Sequence, residues 1–258
     1  MIEIKPIEEL KACGDKVVIA GPCSAESEEQ LLLTATQLSK IGINIFRAGI
    51  WKPRTRPHTF EGIGDIGLEW LSSIKRETGM KCAIEVANPH HVEKALKAGI
   101  DILWLGARTT ASPFAMQEIA NSLKGTDIPV LVKNPINPDI ELWIGALERL
   151  SLVGVSKLAA IHRGFSTYGD TTYRNTPIWE IANELHNKIP QLPILCDPSH
   201  IGGSRELILP IARKAMEGVY SGLFVESHCN PDKALSDSRQ QITPDRLSEI
   251  LKNLNINL

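Results

Sequence analysis

Apolar positions along the chain follow two alternating patterns. Short runs rich in β-branched residues recur as KVVIAG, INIFRAG, KCAIEVA, DILWLGA, PVLVKN, LAAIHRG, LPILCDP and GLFVES. Each run is apolar on both faces, the mark of a strand covered on both sides in a parallel sheet. Between them the apolar spacing lengthens to three and four residues, in SEEQLLLTATQLSKIG, PHHVEKALKAG, SPFAMQEIANSLKG, NPDIELWIGALERLS, TPIWEIANELHNK and SRELILPIARKAMEG. That spacing predicts amphipathic helices. Ser27, Asn88-Pro89, Ser112-Pro113 and Thr176-Pro177 stand where N-caps and first-turn prolines belong, and several segments stop at glycine.

About eight strand–helix units in strict alternation, with no polar linker, predict an α/β fold: a (β/α)8 TIM barrel spanning residues 1–258 as a single domain. No GxGxxG follows the first strand, so a dinucleotide-binding sheet is disfavoured. The first fifteen or so residues precede the first strand and either cap the barrel bottom or form a small hairpin.

Composition narrows the picture. A chain of 258 residues, 43% hydrophobic, can bury one large core, although length alone also permits two small domains. A net charge of -2 gives no bulk attraction for nucleic acid or an anionic membrane. Five scattered cysteines and a start lacking a basic-then-apolar leader point to a reduced, cytoplasmic protein. Apolar runs end well short of membrane-spanning length.

In such a barrel, chemistry gathers at the C-terminal strand ends. Those ends carry Cys23; Arg47, then Lys52 with Arg54; Glu85; Arg108; Lys133; His162 with Arg163; Asp197 with His200; and Glu226 with His228. Alone, a cysteine after a strand is usually a small buried hydrophobe, and a strand-end lysine a solvated surface group. Convergence on one rim changes that balance, because clustered charges must be paired or desolvated at a cost. Cys23, His200, Glu226 and Asp237 form a mixed soft and hard donor set suited to a borderline divalent ion. Lys52, Arg54, Arg108, Lys133 and Arg163 suit phosphate and carboxylate groups.

The motifs GPCS (21–24), KPRT (52–55), GAR (106–108), Lys133, HRG (162–164), DPSH with IGG (197–203), Glu226 and ALSD (234–237) occur in an order that resembles the DAHP (3-deoxy-D-arabino-heptulosonate 7-phosphate) synthases. The chain resembles the short type I beta branch, close to forms with a chorismate mutase domain fused at the C-terminus. KDO 8-phosphate synthases share the barrel and the phosphoenolpyruvate site, but usually carry an Ala-Asn-Arg type sequence where this chain has Lys52-Pro53-Arg54-Thr55. Arg56, Glu61 and Thr109 depart from the commonest family pattern, and Arg56 adds a cation beside the sugar-phosphate motif.

The resemblance implies condensation of phosphoenolpyruvate with erythrose 4-phosphate, the first step of the shikimate pathway; arabinose 5-phosphate is the alternative second substrate. It implies a divalent metal on Cys23, His200, Glu226 and Asp237, manganese first, with cobalt, iron, zinc or cadmium as alternatives. Arg108, Lys133 and Arg163 would hold phosphoenolpyruvate, Lys52 would lie between the substrates, and Arg54 and Thr55 would take the erythrose phosphate. By position, Glu85 would order the attacking water and Asp197 would orient a ligand or the aldehyde; a turn or N-cap role for Asp197 is equally open. A homo-oligomer is expected, and a chorismate mutase domain, fused or docked, is an expected partner. Two rivals make different predictions. A Schiff-base aldolase would use Lys133 and leave the donor set unexplained, and a non-catalytic docking barrel would have no need of the metal ligands.

Overall fold

The computed structural model describes residues 2–10, 16–52, 58–169 and 172–258. Its strands are β1 (Val17–Gly21), β2 (Ile45–Arg47), β3 (Lys81–Val86), β4 (Ile102–Leu105), β5 (Val130–Lys133), β6 (Leu158–His162), β7 (Ile194–Cys196) and β8 (Gly222–Glu226). They pair in parallel in chain order and close into a TIM barrel, β8 returning to β1 in a register that runs from Val17 opposite Gly222 to Gly21 opposite Glu226.

The continuous apolar runs resolve into two sets by the two-residue period of a strand. Ile19, Ile45, Ala83, Ile102, Leu131, Ala159, Leu195 and Phe224 fill the barrel interior. Their neighbours Ala20, Phe46, Ile84, Leu103, Val132, Ala160, Ile194 and Val225 face outward, into the shell beneath the helices. The segment before β1 caps the barrel: Ile7 and Leu10 join the interior cluster at its lower mouth.

Helices cover the outside as the caps predict. Ser27, Asn88 and Ser112 each accept a hydrogen bond from the backbone of the first turn that follows, opening helices Glu28–Lys40, Pro89–Lys97 and Pro113–Ser122. Thr176 does not cap its helix, which spans Trp179–Lys188. The Thr176 backbone is instead bridged to Phe165, with N–H···O distances of 2.8 and 2.9 Å, and this holds it out of helical geometry. A helix at Ile66–Thr78 lacks a side-chain cap signal because Asp65, at its N-cap, turns its carboxylate to Trp51 and Lys94. No helix among the described residues is long and apolar enough to cross a membrane.

Candidate active site

The inward parity that fills the lower barrel with aliphatic groups also aims Arg47, Glu85, Lys133 and Glu226 into its upper mouth. Asp197 follows β7 and is fully buried. Lys52, Glu85, Arg108, Lys133, Arg163, His200 and Asp237 share the walls of one cavity of about 320 Å³, together with Arg174 and Asn175. Gly106 makes room there, since a Cβ would overlap the Glu85 carboxylate.

Cys23, Glu226 and Asp237 place one ligand atom each within 4.8 Å of one another. His200 borders this set, its Nε2 lying 3.7 Å from Glu226 Oε1, while its Nδ1 lies 2.7 Å from Asp197 Oδ2. In its neutral form, with the ring proton on Nδ1 toward Asp197, His200 turns its Nε2 lone pair to a carboxylate; in its protonated form it is a cation that offsets burial at the carboxylates around it. The two acceptors opposed in the neutral form are stabilised by a cation between them. Asp237 Oδ1 takes a hydrogen bond from Arg174 at 3.0 Å, and Oδ2 lies 3.4 Å from Cys23 Sγ. One oxygen is thus held from behind while the other faces the cluster. The residue sits at φ 48°, a left-handed conformation that Asp tolerates better than most side chains. The donors therefore fit a borderline divalent ion, and Asp197 supports His200 from behind as carboxylates commonly support metal-ligating imidazoles.

Electrostatics divides these groups. Burial, reinforced by Glu226, pushes the Cys23 thiol up to about 12. Burial alone would also raise Glu226, but His200 and Arg47 outweigh it and hold that carboxyl below its ordinary value. The same opposition, with burial overcome by His200 and Arg174, holds Asp237 well below the usual carboxylate range. At Asp197 burial is overcome by His200 and Lys133, the latter 3.1 Å away. Lys52 hydrogen-bonds the Cys23 carbonyl at 3.0 Å and Sγ at 3.2 Å. Burial would lower its pKa, yet Cys23 and Glu85 more than compensate and raise it. Burial brings Arg163 down to about 10, so it remains a cation at neutral pH.

One strand-end residue turns away. His162 follows Ile161 by a single position and so faces outward, where Trp143, Phe165, Trp179 and Tyr220 surround it and Tyr220 Oη lies 2.7 Å from Nδ1. Burial lowers its pKa to about 4, leaving it a neutral packing residue. His228 is also apart from the cluster, its Nε2 3.8 Å from Glu26. Arg54 and Thr55, with Arg56, lie outside the described residues.

Several contributors had no role assigned from the sequence. Arg47 is 1% exposed, donates to Glu226 Oε1 at 3.1 Å and lies over the rings of Trp104 and Phe224, 4.8 and 4.9 Å from their centroids. Gln240 donates to Glu226 Oε2 at 2.6 Å, and Gln241 accepts from the Cys23 backbone N–H at 2.9 Å. Arg47 stood among the strand-end groups, but the loop amides carry no periodic signal.

Comparison with known proteins adds to this geometry. The model of the DAHP synthetase I family matches residues 2–257. The chain is 35% identical over 241 residues to a phospho-2-dehydro-3-deoxyheptonate aldolase of Thermotoga maritima, covering 93% of this chain and 69% of that protein. It is 29% identical over 265 residues to a 2-dehydro-3-deoxyphosphooctonate aldolase of Vesicomyosocius okutanii, covering 92% and 88%. The crystal structure of the Thermotoga maritima DAHP synthase superposes with a TM-score of 0.86 at 32% identity, over 98% of this chain and 72% of that one. A truncated form of the synthase from that organism gives 0.83 at 30% identity, over 98% and 91%.

Proposed function

The chain belongs to the DAHP synthetase I family, and from that premise we propose that it joins phosphoenolpyruvate to erythrose 4-phosphate, with water consumed and inorganic phosphate released, to make DAHP for the shikimate pathway. One observation carries the reading: a cluster of Cys23, Glu226 and Asp237, bordered by His200, adjoins a cavity walled by Lys52, Arg108, Lys133 and Arg163. A site for a phosphorylated acid and a phosphorylated aldehyde beside an electrophilic ion needs both halves of that arrangement.

Cys23, His200, Glu226 and Asp237 are the proposed metal ligands. A divalent ion there would supply Lewis-acid polarisation of the sugar aldehyde; manganese is the ion proposed, and cobalt, iron, zinc and cadmium suit the same donors. Arg108, Lys133 and Arg163 bind the phosphate and carboxylate of phosphoenolpyruvate, turning a two-body encounter into an oriented one. Lys52, kept protonated beside Glu85, donates its proton to the aldehyde oxygen as the enol carbon bonds to the aldehyde carbon. Glu85 orders the water that adds at the carbon bearing the phosphate, and phosphate then leaves. Asp197 holds the His200 ring by Nδ1 and pairs with Lys133. Arg54 and Thr55 are assigned to the erythrose phosphate on the KPRT resemblance alone. Residues 1–258 acting as one catalytic barrel, a cytoplasmic homo-oligomer and a chorismate mutase partner belong to the same proposal.

Relatives that include a 2-dehydro-3-deoxyphosphooctonate aldolase at 29% identity favour arabinose 5-phosphate as the second reading. Loss of the enol absorbance with each sugar phosphate separates the two. Faster consumption with erythrose 4-phosphate, abolished by EDTA and restored by manganese or cobalt, is expected. Faster consumption with the five-carbon sugar overturns the substrate assignment, and activity that survives EDTA overturns the metal.

A further inference from the structure

Two consecutive residues on the loop after β6, Arg174 and Asn175, reach across the whole site. Asn175 is 7% exposed, accepts a hydrogen bond from Arg163 Nη1 through Oδ1 at 2.7 Å, and donates through Nδ2 to the His200 carbonyl at 2.7 Å. Arg174 donates to Asp237 Oδ1 at 3.0 Å and to Gln240 Oε1 at 2.5 Å, and Gln240 carries the chain on to Glu226. The backbone anchors the pair independently of these side chains, with Asn175 N–H on the Ile201 carbonyl at 3.1 Å and the Asn175 carbonyl packed against Gly164, where a Cβ would overlap it.

We propose that Asn175 is a positioning residue that couples the anion pocket to the metal-ligand set, so that phosphoenolpyruvate and the metal ion each raise the affinity of the other. The proposal rests on the reading of Cys23, His200, Glu226 and Asp237 as metal ligands. A carboxamide is planar, so its acceptor and donor ends move as one rigid plate. An anion that fixes the Arg163 guanidinium therefore also fixes the amide, and with it the carbonyl of the residue whose imidazole faces Glu226. An ion that draws the His200 ring fixes the same plate from the other end. Coupling of this kind is reciprocal by thermodynamic necessity. Direct attraction between the ion and the anionic substrate adds to it, but does not pass through Asn175.

The test is calorimetric titration of the full chain with manganese, with and without saturating phosphoenolpyruvate, in the parent and in Asn175→Ala. The parent is expected to bind manganese more tightly when phosphoenolpyruvate is present. In Asn175→Ala that ratio should shrink by about five- to tenfold, the worth of one buried hydrogen bond. If the alanine variant shows a lowered thermal midpoint, Asn175→Asp keeps the shape and the acceptor but not the donor to His200, and should lose the same coupling. A parent ratio of one, or an undiminished ratio in the well-folded variant, overturns the proposal. Cys23→Ser tells the two readings apart. If it binds manganese like the parent, the metal assignment falls and takes this coupling with it; if it loses manganese while the Asn175 variants keep the ratio, only the coupling falls.

Discussion

The lower and upper layers of the barrel interior are built by the same period and do opposite things. On β2, β3, β5 and β8 an inward aliphatic or aromatic group is followed two residues later by an ionisable one: Ile45 by Arg47, Ala83 by Glu85, Leu131 by Lys133, Phe224 by Glu226. Leu195 and Asp197 repeat the step just past β7. Among the described residues the lower layer is built of aliphatic and aromatic side chains, which are stabilised by packing. The upper layer is buried almost as deeply, yet its stability depends on each charge having an opposite one within reach, as Arg47 has Glu226 and Lys133 has Asp197. Phe224 joins the layers, its ring lying 4.9 Å below the Arg47 guanidinium and 5.2 Å from the Lys133 ammonium.

The hardest blow to this contrast is expected from Arg47→Met. It strips Glu226 of its buried partner and should cost about 3–5 kcal/mol in chemical denaturation. Adding Glu226→Gln to the same chain should return much of that stability while manganese binding is lost. An Arg47→Met chain as stable as the parent would show that the upper layer is not held by pairing. One layer down, Leu131→Ala opens a cavity and should cost about 2–5 kcal/mol, with manganese affinity unchanged in calorimetry below the unfolding range. Weakened ion binding there would blur the division. Cys23→Ser is predicted to do the reverse. Manganese affinity should fall by about 100-fold, at least the larger penalty seen for disturbing a metal site, while the thermal midpoint of the metal-free protein stays in place. The thiol also sets the pH dependence. Burial has raised its pKa to about 12, so an ion must displace its proton at neutral pH. Glu226 and Asp237, held below their ordinary values, are already ionised. Manganese affinity should therefore weaken about tenfold for each unit the pH falls near neutrality, and Cys23→Ser should flatten that slope.

The barrel was legible because strand and helix periods differ and every run is short. The grouping of Cys23, Glu226 and Asp237, with His200 beside it, was legible because strand ends are the one place where a barrel gathers chemistry, and side chains of these types seldom share a rim without reason. Parity marked the limit of that reasoning. His162 ends a strand as Lys133 does, but one residue of phase sends it outward. Arg47 looked like one more rim cation because its partner lies 179 residues away in the chain. Asn175, Gln240 and Gln241 sit in irregular loops, where no period tells which amide faces inward. The missing cap at Thr176 belongs with these, since a tertiary bridge to Phe165 overrides its local preference.

The seam between β1 and β8 has a further consequence, for the order of events in folding. Cys23 follows the first strand, while Glu226 ends the last and Asp237 follows it, so the two ends of the donor set, Cys23 and Asp237, are 214 residues apart in the chain. An open sheet of the first seven strands does not bring the proposed ligands together, whatever else it has formed. Pairings at such separation form late, because the loop entropy must be lost before the contact returns anything. An ion that binds only the closed form draws the last step forward by mass action. Its uptake would then time the closing of the barrel, and a chain stalled before that step would leave Cys23 without Glu226 and Asp237 beside it, a thiol open to oxidation.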